Sequence, residues 1–163
     1  MAVDLAQIIP PLVSAKVDFI LIGGMAAILH GSARVTFDVD LLYSRSDENI
    51  QRLATALVPY QPYLRDAPAG LPFAWDAKTI RRGVNFTLTT SVGGVDLFGE
   101  VARGETYQDL LAHSFDVDAF GVCFKCIDLP TLIRIKEAAD RPKDREAVAE
   151  LRVLLEESAK KQV

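Results

Sequence analysis

The feature that most constrains the fold of this chain is a short apolar segment that ends in a pair of glycines. Phe19–Ile22 is apolar throughout, which predicts a strand that is buried on both faces of a sheet. Gly23-Gly24 follows at once, and residues 25–30 predict a short helix that ends at Gly31. Such a glycine pair is either an ordinary tight turn or a place where backbone N–H groups bind phosphate oxygens at close range.

A second predicted strand, residues 36–43, carries two aspartates two positions apart. Successive side chains of a strand alternate between its faces, so Asp38 and Asp40 leave the same face. Two neighbouring carboxylates repel each other, which is tolerable if water solvates them fully or if they hold a divalent cation. Oxygen ligands of this kind suit Mg²⁺ or Mn²⁺ rather than zinc.

A third carboxylate, Asp96, lies between apolar neighbours on the returning strand of a predicted hairpin. The hairpin comprises residues 84–90, a turn at 91–94 and a second strand at 95–98. Burial of a carboxylate without a partner is costly. If this strand lies beside the strand of Asp38 and Asp40, the three carboxylates converge. Otherwise Asp96 points to solvent from an alternating strand.

The remaining segments bring the prediction to roughly six strands and five or six helices without strict alternation, which indicates an α+β fold. We expect a mixed sheet flanked by helices, with further helices at the C-terminus. One domain is expected over residues 1–163, with a core at about 17–127 and a C-terminal helical part at about 128–160. Ser46 and Asp128 are predicted helix N-caps, and Pro10-Pro11 is expected to kink or restart the first helix.

The least regular segment, residues 58–79, has prolines spread among aromatic side chains. A loop of this length in a compact domain is usually functional or mobile. Its aromatic side chains either stack on a nucleobase or pack the loop onto the core, and we favour packing. These aromatic residues are Tyr60, Tyr63, Phe73 and Trp75.

Composition narrows the range of partners. A formal net charge of -4 argues against a protein that coats nucleic acid, which needs a basic face. No segment reaches the roughly 18 apolar residues that span a bilayer, and the N-terminus lacks a secretory pattern. We therefore expect no membrane association and a cytoplasmic location.

Cys123 and Cys126 lack the second cysteine or histidine pair of a zinc site, which favours two reduced thiols.

Residues 19–41 resemble the signature of the DNA polymerase β-type nucleotidyltransferase superfamily. That signature joins a Gly-Gly or Gly-Ser turn to an Asp-x-Asp pair and then to one more carboxylate on a later strand. The pattern Gly-Gly-x-Ala, a following glycine, Arg-x-Thr and Asp-hydrophobic-Asp is similar to small bacterial stand-alone members, including those of toxin–antitoxin and AbiEii-like modules. Residues 128–144, with a lysine and an Arg-x-Lys-Asp, also resemble these relatives.

This resemblance implies an enzyme that moves a nucleoside monophosphate from a nucleoside triphosphate to a hydroxyl acceptor on a protein, an RNA end or a small molecule. It implies that Asp38, Asp40 and Asp96 are the catalytic residues and hold two Mg²⁺ or Mn²⁺ ions. It also implies that the N–H groups of Gly23 and Gly24 bind phosphates, without the serine hydroxyl that many members place there.

Two basic residues are the candidate phosphate-binding side chains under this resemblance. Arg34 either contacts phosphate or pairs with a carboxylate and orients it. Lys136 either reaches the phosphates or is an ordinary solvated helix lysine. Arg141 and Lys143 are expected to be structural or superficial, with phosphate contact as the alternative.

The resemblance leaves one alternative to an enzyme. The chain can be a catalytically weak or inactive binding module that acts as one half of a toxin–antitoxin pair. Three intact carboxylates favour the enzyme, because a binding surface gains nothing from their repulsion. Besides the nucleoside triphosphate, the expected partners are therefore a protein of such a pair or a second copy in a homodimer.

Overall fold

The computed structural model describes residues 2–162, which form one seven-stranded mixed sheet with helices packed on both faces. Within these residues the helices are α1 (Leu5–Ser14), α2 (Gly23–Leu29), α3 (Asp47–Leu57), α4 (Ala77–Arg82), α5 (Tyr107–Leu110), α6 (Leu129–Ala139) and α7 (Pro142–Lys161). The strands are β1 (Phe19–Ile22), β2 (Asp38–Tyr43), β3 (Tyr63–Leu64), β4 (Phe86–Thr90), β5 (Gly93–Phe98), β6 (Ser114–Ala119) and β7 (Val122–Ile127).

The strands lie in the order β3-β4-β5-β2-β1-β7-β6 across the sheet. β2 pairs with β5 and β1 pairs with β7 in parallel, whereas the other neighbouring strands are antiparallel. The predicted α+β class with a mixed sheet is therefore confirmed. The hairpin of β4 and β5 also forms as predicted, and its second strand becomes the neighbour of β2.

The centre of the sheet is its most buried part. All four residues of β1 are buried, as expected for an apolar strand covered on both faces. Ile22 at the end of β1 lies opposite Asp40 of β2. Because Gly23 follows directly and begins α2, the strand-to-helix turn lies beside Asp40.

The helices divide between the two faces of the sheet. α2, α6 and α7 pack together on the face that carries Asp38 and Asp40. α1, α3 and α4 pack together on the opposite face. No helix among residues 2–162 combines the length and apolar character that crossing a membrane requires.

The first helix differs from its prediction, because α1 runs through Pro10 and Pro11 without a break. A proline inside a helix removes an N–H donor and leaves a carbonyl of the preceding turn without its usual partner. Here the side-chain hydroxyl of Tyr60 donates to Gln7 O, at 3.3 Å. A tertiary contact thus satisfies a carbonyl that Pro11 leaves free.

The segment predicted as an irregular loop is more ordered than expected, since it contains β3 and leads into α4. Tyr60, Phe73 and Trp75 pack on the core, which confirms the favoured interpretation for these three side chains. Trp75 Nε1 donates to Ala54 O at 3.0 Å, and its ring meets the edge of Phe86 at 6.3 Å between centroids. Tyr63 and Phe73 form a similar edge contact at 5.9 Å.

A single buried side chain, Asn49 of α3, joins this helix to the two central strands. Its Oδ1 accepts from Asp18 N at 2.6 Å, and its Nδ2 donates to Asp18 O at 3.0 Å and to Ser44 O at 2.8 Å. Asp18 precedes β1 and Ser44 follows β2, so these hydrogen bonds hold the ends of both strands together. Asn49 is 0% exposed, and water cannot replace them.

We expect Asn49→Ala to lower the free energy of unfolding by roughly 2–4 kcal/mol, because it leaves buried backbone groups without partners. Urea unfolding followed by circular dichroism measures the change. Gln51→Ala on the exposed side of the same helix is the matched control, with an expected effect within about 0.5 kcal/mol. Equal effects of the two substitutions would contradict the structural role of Asn49.

Candidate active site

The parallel pairing of β2 and β5 brings the three predicted aspartates together. Asp40 lies opposite Asp96, and Asp38 lies opposite Gly94. Residues in register point to the same face of a sheet, so all three carboxylates leave the face that α2, α6 and α7 partly cover. Asp96 does not point freely to solvent, since its side chain is only 19% exposed.

Two glycines provide the space that these carboxylates occupy. A Cβ atom on Gly23, where φ is +69°, would lie 1.9 Å from Asp40 Oδ2. A Cβ atom on Gly94 would lie 2.0 Å from Asp38 Oδ1. No side chain fits at either position without moving an aspartate, because real Cβ contacts are never this short.

The other glycine of the turn has a similar neighbour. A Cβ atom on Gly24 would lie 2.9 Å from Thr36 Oγ1. The sequence prediction explains Gly23 and Gly24 by the close approach of a phosphate, whereas the structure shows protein side chains at these distances. The phosphate role of the two glycines stays a prediction.

The structure adds one residue to the site that the sequence analysis did not identify, Arg65. Its guanidinium lies between two of the aspartates, with Nη1 3.4 Å from Asp38 Oδ2 and Nη2 2.8 Å from Asp96 Oδ1. Arg65 follows β3, and its backbone N donates to Thr87 O at 2.9 Å, on the strand next to Asp96. An isolated arginine in a proline-rich segment has no sequence pattern that indicates this position.

Burial and mutual repulsion raise the pKa of two of the three carboxyl groups. The pKa of Asp40 is raised to about 7, mainly by burial and then by the charge of Asp96, against the opposing charge of Lys136. Burial also raises the pKa of Asp96, against the charge of Arg65. Both carboxyl groups are therefore harder to ionise than that of an exposed aspartate.

Basic side chains from the C-terminal helices face the carboxylates across a cleft of about 320 Å³. Lys136 of α6 and Lys143 of α7 both act electrostatically on Asp40. Burial lowers the pKa of Lys136, while the charges of Asp144 and Asp40 oppose this effect. The cleft therefore has an acidic floor on the sheet and a basic wall on the helices.

Arg141 has a structural role at the start of α7. Its Nε donates to Asp144 Oδ2 at 2.7 Å and its Nη2 donates to Asp144 Oδ1 at 3.2 Å, a two-point contact. The Asp144 side chain is 2% exposed, and it also accepts from the backbone N of Arg141. This capping contact fixes the beginning of the helix that presents Lys143.

Arg34 lies at the mouth of the cleft and does not contact the aspartates of the site. Its Nη2 is 3.3 Å from Glu146 Oε2 on α7, and both side chains are largely exposed. Arg34 therefore pairs with a carboxylate other than Asp38 or Asp40. Its predicted contact with phosphate stays a prediction.

The second Asp-x-Asp of the chain, Asp116 and Asp118, lies on the edge strand β6, away from the cleft. Asp116 forms an ion pair with Lys125 of the neighbouring strand at 2.6 Å. Both aspartates are exposed. This pair is therefore a useful internal control for the pair on β2.

Comparison with solved structures places this arrangement in a known fold. The chain aligns with the lincosamide antibiotic adenylyltransferase LnuA, solved with lincomycin bound, at a TM-score of 0.60 and 15% identity, over 92% of this chain and 95% of that one. It aligns with a proposed nucleotidyltransferase from Thermotoga maritima at a TM-score of 0.54 and 18% identity, over 94% and 91% of the two chains. This is the nucleotidyltransferase fold. The sequence itself matches no protein-family model and no curated protein.

In this nucleotidyltransferase fold the strand-to-helix turn has no room for a side chain at Gly23. Gly23→Ala should destabilise the protein by about 1–3 kcal/mol more than Gly121→Ala, because only the first substitution pushes against a packed side chain. Gly121 is the matched control, since its φ of +75° imposes similar backbone strain and no atom lies within 4 Å of the position that a methyl group would take there. Thermal unfolding of the two variants measures the difference, and equal losses would refute it.

A pH dependence follows from the raised pKa of Asp40. The folded state holds this proton more tightly than the unfolded state, so the free energy of unfolding should fall as pH rises from about 4 to about 7, by up to about 4 kcal/mol. Urea unfolding in the presence of EDTA at several pH values measures the slope. Asp40→Asn should flatten it, because the amide does not titrate, and parallel profiles of the two proteins would contradict the assignment.

Proposed function

We propose that this chain is a metal-dependent nucleotidyltransferase, folded as one domain, that moves a nucleoside monophosphate from a nucleoside triphosphate to a hydroxyl acceptor. The observation on which the proposal rests is the cleft in which three carboxylates face Lys136 and Lys143. A metal–triphosphate complex carries both matching charges, with a cation for the acidic floor and phosphates for the basic wall. The likeness in fold to nucleotidyltransferases supports the same activity.

The donor set of the floor fits a hard divalent cation, Mg²⁺ or Mn²⁺. Asp96 Oδ1 is buried and accepts no well-directed hydrogen bond within the described residues, although the charge of Arg65 lies close to it. Among residues 2–162, no three acidic, histidine or cysteine side chains are already gathered as a metal-binding cluster. Arg65 engages Asp38 and Asp96 in this structure, which leaves Asp40 as the carboxylate of the floor without an ion pair to this arginine.

A bound cation would supply charge neutralisation at the triphosphate and activation of the acceptor hydroxyl. The protein's own groups supply the rest. Lys136 is half-buried and makes no ion pair with any residue of the range 2–162, so its ammonium group is free to bind phosphate oxygens. Lys143 extends the same wall, and we propose that the backbone N–H groups of Gly23 and Gly24 bind the β- and γ-phosphates from the other side.

Asp96 is the proposed base for the acceptor. In the transfer step the acceptor oxygen forms a bond to the α-phosphorus, the bond from that phosphorus to the bridging oxygen breaks, and pyrophosphate leaves with that electron pair. Asp96 orients the hydroxyl and takes its proton. Burial raises the pKa of this carboxyl and so makes it a better base.

Beyond Asp96 the sheet face is open, since Thr87 and Thr89 of β4 are exposed. We propose this face as the approach of the acceptor.

A binding module is the second candidate, and two observations favour it. Arg65 already neutralises part of the acidic floor, so the three carboxylates do not by themselves require a metal. Val35 and Phe37 at the mouth of the cleft are 79% and 61% exposed, which is unusual for apolar side chains and suits contact with a partner protein. A partner of a toxin–antitoxin pair would belong to this candidate.

Binding of a nucleotide is the first test of the proposal. With Mg²⁺ or Mn²⁺ present, at least one of the four nucleoside triphosphates should raise the melting temperature, equivalent to about 2.7 kcal/mol at a ligand concentration of about 100 times Kd. Asp40→Asn should abolish the increase, whereas Asp118→Asn in the second Asp-x-Asp should leave it unchanged. Absence of any metal-dependent stabilisation of the wild type would refute the nucleotide site.

Transfer of label then separates the enzyme from the binding module. The protein is incubated with the stabilising nucleotide, labelled at the α-phosphate, and with protein, RNA and small-molecule acceptor fractions. Incorporation should fall by about 10³-fold or more in Asp96→Asn, because the proposed base is lost, and remain in Asp118→Asn. Nucleotide binding without incorporation in any fraction would favour the module.

A further inference from the structure

Arg65 is held among the carboxylates from several directions. Its Nη2 donates to Leu88 O at 2.7 Å, and its backbone N is tied to Thr87 O. The side chain is 21% exposed. A Cβ atom on Gly94 would lie 2.5 Å from Nη2, so the glycine on β5 makes room for the guanidinium as well as for Asp38. This placement is far more constrained than that of a surface arginine whose ion pair forms by chance.

The charges of the site limit how many metal ions it can accept beside this arginine. Three carboxylates carry three negative charges, which one divalent cation and one guanidinium balance. A second divalent ion would leave an excess of positive charge before a nucleotide binds, with Lys136 and Lys143 already facing Asp40. It would also need Asp96, whose Oδ1 lies 2.8 Å from Arg65 Nη2.

We propose that Arg65 takes the place of the second metal ion, so that the site holds one divalent cation and uses the guanidinium as its other positive charge. The inference rests on the proposed function and revises the two-ion scheme that the family resemblance implies. The single ion binds on the Asp40 side of the floor. Arg65 remains on the side of Asp38 and Asp96, where it acts as a positioning residue that keeps both carboxylates oriented.

Manganese binding to the nucleotide-free protein tests this inference without any need for activity. Electron paramagnetic resonance counts the bound Mn²⁺ ions and distinguishes an isolated ion from a coupled pair about 3.5–4 Å apart. The wild type should bind one magnetically isolated ion. Arg65→Gln should bind two ions with a coupled spectrum, because the shorter and neutral amide no longer excludes the second cation.

Two further variants separate charge from structure. Arg65→Lys keeps the positive charge and should still bind one isolated ion. Arg81→Gln removes an arginine that pairs with Asp47 at 3.0 Å, away from the cleft, and should also bind one ion. Thermal unfolding of each variant establishes that the protein is folded.

The outcomes distinguish this inference from the proposed function. Two coupled ions in the wild type, or a single ion in folded Arg65→Gln, would overturn the role of Arg65 while leaving a metal-dependent transferase intact. No Mn²⁺ binding to the nucleotide-free wild type would overturn the role of Arg65, and the proposed function falls as well if Mn²⁺ is not bound with a nucleoside triphosphate present. If Arg65→Gln does not fold, the wild-type count decides, together with Arg65→Lys, where a second ion would contradict the proposal.

Discussion

The repulsion between three carboxylates on one sheet face is the constraint on which the rest of this site depends. The parallel pairing of β2 with β5 places Asp40 opposite Asp96. Because the register of the two strands is fixed, the two side chains cannot move far apart. The folded chain offsets part of the repulsion with the guanidinium of Arg65, and burial raises the pKa of both Asp40 and Asp96. Arg65 is therefore part of the charge balance of this sheet face.

Two glycines of the site make room for protein carboxylates, a role that the sequence motif does not indicate. Gly23 and Gly94 lie on either side of the aspartates, and each leaves a space that a carboxylate fills. Their absence of a side chain determines where Asp40 and Asp38 point. Gly23, the glycine that follows the buried strand, is therefore needed by the acidic floor itself, whether or not a phosphate also approaches the turn.

The basic wall depends on contacts made far from the aspartates in sequence. Asp144 is buried and bound by Arg141, which fixes the start of α7 and so the direction in which Lys143 extends. α6 and α7 pack against each other and α6 packs on α2, which brings Lys136 over the floor. The opposing charges thus come from two separate parts of the chain, joined by the packing of three helices on one sheet face.

The local features of this protein can be predicted from neighbouring residues in the chain. The apolar run before Gly23, the alternation that puts Asp38 and Asp40 on one face, the hairpin that contains Asp96, and the caps at Ser46 and Asp128 all depend on neighbouring residues, and all are present. Periodicity and capping are short-range properties, so a sequence pattern is sufficient to indicate them.

Contacts between distant parts of the chain, in contrast, bring these local features together in space. The pairing of β2 with β5, the position of Arg65 and the continuity of α1 through its prolines depend on partners distant in the chain, such as Thr87 for Arg65 and Tyr60 for α1. An arginine after a two-residue strand has no periodicity from which its location can be inferred. The role of Arg65 follows from the strand order, in which β4 and β5 lie between β3 and β2. That order is set by hydrogen bonding between strands and not by the local sequence.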